Sequence, residues 1–302
     1  MSSIGGLEAS RLGLGTMSLT GRGTWGDPPD PAAARALLRR AAELGVRLFD
    51  TADSYGPETA ERLLREALHP YDGLLLATKG GFRRHGPHEW EADCRPESLR
   101  AACEASLQRL GLERIDLYQL HLVDPAVPVE ESAGALAELR REGKIRSIGV
   151  CNVDEQQLAR ARTAAEIVSV QNRYSLVERG SRPVLERCER DGLAFVAWAP
   201  LGKGFLSAPT GALAAVAARR GATPSQVALA WVLRSPAAFA IPGTASVAHL
   251  EENLGAGRVE LADEDVRELE HEGFRAYRAG RLARRARARA GRAKAMLRRA
   301  GR

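Results

Sequence analysis

The sequence predicts an α/β fold, a single (β/α)₈ TIM barrel followed by a basic C-terminal extension. Short apolar runs alternate with helical patterns from residue 12 to residue 254. Eight such runs can be counted, and the helices between them supply the crossovers of about a dozen residues that parallel strands require. No linker rich in Pro, Gly or Ser divides the chain of 302 residues, and such barrels often reach 250 residues in one domain.

The predicted elements follow one another in a regular order. Each strand is placed where apolar residues run together, and each helix where they recur at helical spacing. The strands are predicted at residues 12–15, 46–49, 74–78, 115–120, 145–150, 167–170, 193–197 and 238–241. The helices are predicted at residues 32–44, 58–68, 96–110, 129–141, 154–162, 181–190, 224–234 and 247–254. The same alternation also fits an open, doubly wound sheet.

Composition excludes several classes of protein. Hydrophobic residues make up 44% of the chain, so it is neither disordered nor fibrous. No apolar run approaches the roughly 20 residues that span a membrane, and residues 1–10 lack the features of a secretion signal. The cysteines have no CxxC spacing, which predicts reduced thiols, no metal site and a cytoplasmic location. They are Cys94, Cys103, Cys151 and Cys188.

Positive charge is concentrated at the end of the chain. Residues 275–302 contain twelve of the 44 lysines and arginines and none of the 38 acidic residues. We therefore predict a barrel domain at residues 1–274 and an Arg/Ala-rich basic tail at residues 275–302. Two interpretations of the tail stay open: contact with nucleic acid or another anionic surface, or a solvated extension without a partner, which we favour.

A glycine motif near the start suggests a different fold. The segment Gly21-Arg-Gly-Thr-Trp-Gly26 has the G-x-G-x-x-G spacing of a dinucleotide-binding turn. In that fold the third glycine lies in the first turn of a helix, whereas here the proline-rich residues 27–31 enforce an extended segment. The motif is therefore interpreted as the loop after the first strand.

Polar and aromatic side chains stand at the carboxyl ends of the predicted strands. In a (β/α)₈ barrel these ends converge on one mouth, where reactive groups gather. In chain order they are Asp50, Lys79, His121, Asn152, Gln171, Trp198 and the run Pro242-Gly-Thr244, and Tyr55 follows Asp50 by five residues. Lysine occurs only four times in the sequence, so an ammonium group at position 79 points to a specific role.

Four of these side chains can together reduce a carbonyl group. A nearby ammonium favours phenolate, so Lys79 is expected to lower the pKa of Tyr55 from about 10 and make it a better acid near neutral pH. Asp50 would hold Lys79 charged and aimed. A neutral His121 would orient the carbonyl oxygen while Tyr55 protonates it. Taken singly, a histidine or an aspartate at such a position is more often structural.

Several segments resemble the aldo-keto reductases, and the match runs from about Leu12 to Leu269. They are Gly45-Val-Arg-Leu-Phe-Asp-Thr-Ala-Asp-Ser-Tyr-Gly56, Thr78-Lys-Gly80, Leu117-Tyr-Gln-Leu-His121, Gly143-Lys-Ile-Arg-Ser-Ile-Gly-Val-Cys-Asn152 and Ile241-Pro-Gly-Thr-Ala-Ser-Val-Ala-His-Leu-Glu-Glu-Asn253. Within the family the resemblance is to bacterial reductases of the pyridoxal type. It implies an NAD(P)H-dependent oxidoreductase that reduces an aldehyde or ketone, with Asp50, Tyr55, Lys79 and His121 as the catalytic tetrad.

The resemblance also implies a set of cofactor contacts. Asn152 and Gln171 would bind the nicotinamide carboxamide, and Trp198 would stack on its ring. The other implied contacts are Leu201 and Gly202 in the loop after strand seven, Glu252 and Asn253 at the adenine, and Gly243, Thr244 and His249 at the 2′-phosphate. Members of the family usually place a lysine and an arginine where this chain has Gly243 and His249, so we expect NADPH to be preferred over NADH by a moderate margin.

The substrate pocket is less well specified. Its predicted lining is Trp25, Phe82 and Trp90, and the cluster Arg83-Arg-His85 either favours an anionic carbonyl compound or is a set of solvated loop charges. One functional alternative also stays open. Some proteins of this kind are cofactor-binding regulatory or sensor subunits of ion channels, in which the tetrad persists although turnover is secondary.

Overall fold

The computed structural model describes residues 2–208 and 210–271. Its strands are β1 (Ser2–Ile4), β2 (Leu7–Ala9), β3 (Leu14–Gly15), β4 (Leu48–Asp50), β5 (Leu75–Gly80), β6 (Phe82–Gly86), β7 (Glu89–Ala92), β8 (Ile115–Leu120), β9 (Ile145–Cys151), β10 (Ile167–Arg173), β11 (Ala194–Trp198) and β12 (Ala238–Ile241). Its helices are α1 (Pro31–Glu43), α2 (Thr59–Leu68), α3 (Pro96–Leu110), α4 (Val129–Arg141), α5 (Glu155–Ala164), α6 (Arg182–Asp191), α7 (Gly211–Arg220), α8 (Pro224–Val232) and α9 (Val247–Leu254). The predicted basic tail lies outside the described residues.

Eight parallel strands form the central sheet. Their order is β3, β4, β5, β8, β9, β10, β11 and β12, so each new barrel strand pairs with the preceding one. Parallel bridging between Leu12 and Ala240 joins the two edges, and the backbone N–H of Gly13 donates to the carbonyl of Ala240 at 2.9 Å. This closure confirms the predicted barrel over the open sheet. Within the described part of the chain, none of the helices has the length and apolar character needed to cross a bilayer.

The side chains that point into the barrel change from apolar to polar along the strands. Leu48, Leu75 and Leu117 belong to an interior apolar cluster, whereas Phe49 and Leu76, the residues that follow the first two of these, pack against the outer helices. Successive side chains of a strand point to opposite faces. The next inward-pointing residues are Asp50 in β4, Ala77 and Lys79 in β5, and Gln119 in β8. The barrel interior is therefore apolar at its base and polar towards the carboxyl ends of the strands.

An N-terminal hairpin, which the sequence analysis missed, closes the base of the barrel. Strands β1 and β2 pair in antiparallel fashion, and Ile4 and Ala9 join the interior apolar cluster. Gly5 turns the hairpin with a φ of +58°. A Cβ at Gly5 would lie 2.7 Å from Oγ of Ser147, so the turn approaches the barrel more closely than a side chain would permit. The hairpin thus buries the lower end of the interior.

All the predicted strands and helices occur, with bounds within three residues of those predicted. Two further elements were also missed. Strands β6 and β7 form a hairpin over the mouth, between β5 and α3, and helix α7 precedes α8. The segment Gly21–Gly26 is a loop after β3, closed by a hydrogen bond from the Gly21 N–H to the Gly26 carbonyl at 2.9 Å, so its interpretation as a loop is confirmed.

Candidate active site

Three of the predicted catalytic side chains are joined directly at the mouth of the barrel. Asp50 ends β4, Lys79 lies in β5, and Tyr55 lies in the loop between β4 and α2. Nζ of Lys79 donates to Oδ1 of Asp50 at 2.5 Å and to the Thr51 carbonyl at 2.9 Å. It lies 3.4 Å from the Tyr55 hydroxyl. The lysine therefore links the carboxylate to the phenol.

Burial and neighbouring charges together set the protonation of Lys79 and Tyr55. Lys79 is fully buried and Asp50 is 2% exposed. Burial lowers the pKa of Lys79, but the charges of Asp50 and Tyr55 outweigh this and hold the pKa above its ordinary value. Burial raises the pKa of Tyr55 to about 12, although the charge of Lys79 acts in the opposite direction. The expectation that Lys79 brings the Tyr55 pKa below its ordinary value is wrong for this structure, because desolvation of the phenolate costs more than the ammonium returns.

Two glutamines complete the surroundings of Asp50. Nε2 of Gln171 donates to Oδ2 of Asp50 at 2.6 Å, and Nε2 of Gln119 donates to the same oxygen at 3.2 Å. A Cβ at Gly149 would lie 2.9 Å from Cγ of Gln119, so glycine at 149 makes room for that side chain. Gln119 was not assigned a role from the sequence, although its place near the end of β8, two residues before His121, was a usable signal. Both oxygens of Asp50 are thus held by donors.

His121 lies beside the tyrosine. Its ring makes edge contacts with the rings of Tyr55 and Phe82, at centroid distances of 5.8 Å and 4.7 Å. Burial and the nearby charge of Lys79 lower the pKa of His121 well below its ordinary value, so the imidazole is neutral. Its Nδ1 is buried and has no hydrogen-bond partner among the described residues. The site therefore offers a neutral imidazole next to a protonated phenol.

Asn152 and Trp198 border the same mouth. Asn152 adopts a φ of +57°, a left-handed conformation that asparagine tolerates better than most residues. Its Nδ2 donates to the His121 carbonyl at 3.0 Å, and Nε1 of Trp198 donates to its Oδ1 at 2.9 Å. The three predicted nicotinamide contacts, Asn152, Gln171 and Trp198, therefore lie around the side chains of Asp50 and His121.

The remaining predicted cofactor contacts gather in a cavity of about 280 Å³ between the loop after β11 and helix α9. Six of the residues predicted to contact the cofactor line this cavity: Leu201, Gly243, Thr244, His249, Glu252 and Asn253. Gly202 lies in the same loop but not in the lining. Lys203 also lines the cavity, and the sequence analysis gave it no role, although the scarcity of lysine could have drawn attention to it. Ser246 caps α9, so the positive end of that helix adjoins Thr244.

The three predicted substrate-pocket aromatics lie on one side of the mouth. The rings of Phe82 and Trp90 meet edge to face at 5.2 Å, and Phe82 also touches His121. Trp25 and Trp90 both contact the guanidinium of Arg84.

The neighbouring cationic cluster does not form the anion site considered from the sequence. Arg83 pairs with Asp93 and His85 contacts Glu91. Arg84 donates to backbone carbonyls. The donors of Arg84 are used within the protein, so for Arg84 the interpretation as a solvated loop charge is wrong, whereas the side chains of Arg83 and His85 are more than half exposed.

A model of the aldo/keto reductase family matches residues 11–272. The chain belongs to this family. The reductase is 45% identical to an uncharacterized oxidoreductase of Schizosaccharomyces pombe, over 89% of each chain. It is 42% identical to pyridoxine 4-dehydrogenase of Escherichia coli, over 89% of this chain and 96% of that protein. The crystal structure of an aldo-keto reductase from Klebsiella pneumoniae in complex with NADPH superposes with a TM-score of 0.75 at 28% identity, over 88% of this chain and 92% of that one.

Proposed function

We propose that the reductase converts an aldehyde or ketone to an alcohol, with Tyr55 as the general acid and His121 as the group that orients the carbonyl oxygen. Carbonyl reduction with NAD(P)H follows from membership of the family. The residue roles are supported by one observation above all: the Tyr55 hydroxyl lies 3.4 Å from Nζ of the buried Lys79, which is paired with Asp50, and the Tyr55 ring makes an edge contact with the neutral ring of His121. When bound, the cofactor supplies the hydride.

The protein side of the reaction is a proton transfer. The pKa of Tyr55 keeps its proton in place at neutral pH, so the phenol is ready to donate to an oxygen that gains negative charge. The ammonium of Lys79, fixed by Asp50, then stabilises the phenolate that remains. The neutral ring of His121, in edge contact with the phenol, supports its role in orienting the carbonyl oxygen at the same place. Proton donation of this kind contributes roughly 10²- to 10⁴-fold to a rate.

The residues of the mouth fit a nicotinamide dinucleotide. Asn152, Gln171 and Trp198 would hold the nicotinamide. The cavity beside α9 would take the adenine half, with Leu201, Glu252 and Asn253 as contacts, and Gly202 would contact the cofactor from the same loop, outside this lining. Gly243, Thr244, His249 and Lys203 would face the 2′-phosphate. We propose NADP(H) as the cofactor, supported by the NADPH-bound relative and by cationic side chains near the end of a helix that favours anions.

A preference for NADPH follows from these groups. We expect NADPH to bind about five- to thirtyfold more tightly than NADH, because a histidine and one flexible lysine grip a phosphate less firmly than a bidentate arginine. His249→Arg should enlarge this margin, and Lys203→Met should narrow it. Equilibrium titration of both cofactors measures these ratios.

His249→Gln is the control for this prediction. Glutamine keeps a hydrogen-bond donor but adds no guanidinium, so the larger NADPH preference expected for His249→Arg should be absent in this variant. Equal affinities for NADH and NADPH in the wild type would contradict the proposed phosphate site.

The activity itself is tested by steady-state turnover. The wild type is expected to consume NADPH when 4-nitrobenzaldehyde is added. Tight binding of NADPH without turnover of this or any other simple carbonyl compound would favour the regulatory or sensor alternative. We further propose that residues 1–274 are the catalytic unit, and that it works in the cytoplasm, where the four free, buried cysteines stay reduced.

A further inference from the structure

Arg84 uses every N–H of its guanidinium on backbone carbonyls. Nε donates to Glu89 at 2.8 Å. One terminal nitrogen donates to Thr24 at 2.9 Å and to Ser54 at 2.7 Å, and the other donates to Gly23 at 3.1 Å and to Gly86 at 3.2 Å. Five donors meet five acceptors. Only arginine has a planar fork with this number of donors.

The five carbonyls belong to three different segments at the mouth. Residues 23 and 24 lie in the loop after β3, and residues 86 and 89 lie in the hairpin of β6 and β7. Ser54 directly precedes Tyr55 in the loop between β4 and α2. One side chain therefore ties the loop that carries the general acid to the two segments that form the outer wall of the mouth.

The same guanidinium lies between two indole rings. Its Cζ is 3.7 Å from the ring centroid of Trp90 and 5.7 Å from that of Trp25. Trp90 in turn meets Phe82, and Phe82 meets His121. Trp90 is 38% exposed, so its position depends on these contacts rather than on burial in a core. A wall of aromatic rings thus leads from the solvent to the catalytic histidine, and Arg84 supports its outer part.

We propose that Arg84 is a positioning residue for the reaction: it fixes the wall of Trp25, Phe82 and Trp90 beside the Tyr55 loop, and so sets how tightly flat, uncharged aromatic carbonyl compounds bind. This inference rests on the proposed carbonyl reduction. The ligand is uncharged because Arg84, the cation that contacts the rings, has every N–H occupied by a backbone carbonyl and none left for an anion. It is flat and aromatic because edges and faces of rings are what the wall offers to a neighbour.

The inference is tested by comparing two aldehydes. Arg84→Lys keeps the positive charge but removes the planar fork. We expect it to raise KM for 4-nitrobenzaldehyde by about tenfold and KM for propanal by less than about threefold, since propanal has no ring to stack on the wall. Arg83→Lys is the matched control, because it makes the same chemical change one residue away on an exposed side chain, and both KM values should stay within about twofold.

A general loss of structure would behave differently. It would lower turnover of both aldehydes alike and leave the ratio of their KM values unchanged, which would overturn the inference. Trp90→Leu provides a second route if Arg84→Lys folds poorly, because it removes a ring of the wall and leaves the arginine. It should raise the aromatic KM selectively, and an unchanged ratio would again overturn the inference.

Failure of the proposed function can be recognised separately. It would appear as absence of turnover of both aldehydes by the wild type. In that event, quenching of tryptophan fluorescence by 4-nitrobenzaldehyde gives the same comparison of wild type, Arg84→Lys and Arg83→Lys without catalysis. Weaker binding of 4-nitrobenzaldehyde to Arg84→Lys, with unchanged binding to Arg83→Lys, would support the inference that Arg84 fixes the wall. Equal binding of the aldehyde to all three proteins would overturn it.

Discussion

Replacing Tyr55 with phenylalanine is expected to lower kcat for carbonyl reduction by roughly 10²- to 10⁴-fold. The substitution removes one oxygen atom and keeps the ring that packs against His121. The wall and the cavity beside α9 stay intact, so the dissociation constant for NADPH should change by less than about threefold. Steady-state kinetics with a simple aldehyde, together with a cofactor titration, measure the two quantities on the same preparation.

The dependence of kcat on pH is a second measurement of the role of Tyr55. Burial raises its pKa to about 12 in this structure, and the acid role needs the protonated phenol. The phenol therefore stays able to donate its proton across the neutral range and loses that proton only as the pH approaches this value.

A Tyr55→Phe variant that kept more than about a tenth of the wild-type kcat would show that another group donates the proton.

Replacing Lys79 with methionine is expected to cost both activity and stability. The ion pair of Lys79 and Asp50 is almost fully buried. Removing the ammonium leaves the carboxylate with only the two glutamine amides as partners, and breaking a buried pair in this way typically costs about 3 to 5 kcal/mol of unfolding free energy. Activity should fall as well, because the phenolate of Tyr55 loses its counter-charge. Chemical denaturation and steady-state kinetics give the two values.

A double variant separates these two effects. Asp50→Asn combined with Lys79→Met removes both charges, so most of the lost unfolding free energy should return. Activity should not return, because the ammonium is still missing. If the double variant regained activity along with stability, Lys79 would be a purely structural residue. If the single variant were as stable as the wild type, the carboxylate would not be held in the way that the structure describes.

The architecture could be predicted because each barrel unit carries a local signal. A strand such as Ile115–Leu120 is a short apolar run, and a helix such as Pro96–Leu110 begins with proline and ends before Gly111. The two hairpins carry no such signal. In β6 and β7 the charged residues conceal the strand pattern, and Gly5-Gly6 marks a turn whose strands have only three residues each. Their position is set by tertiary contacts rather than by local preference.

The site was predictable to the extent that strand ends determine it. Asp50, Lys79 and His121 each lie at or next to the carboxyl end of a barrel strand, so the fold alone brings them together. The pKa of Tyr55 could not be predicted, because it depends on how completely the phenol is buried, which spacing does not reveal. The role of Arg84, which was considered only as part of an anion site or as a solvated charge, could not be predicted for a similar reason. Only the folded hairpin shows that its five donors face carbonyls from three segments.

Direct transfer of hydride from the nicotinamide to the carbonyl carbon can be followed with an isotope label. The wild type is incubated with an aldehyde and NADPH that carries deuterium at the transferred position of the nicotinamide, and the alcohol is examined by mass spectrometry. We expect one deuterium in each alcohol molecule, bonded to the former carbonyl carbon, and one NADPH consumed for each alcohol formed. An alcohol without deuterium, or NADPH that binds without any alcohol being formed, would contradict direct hydride transfer.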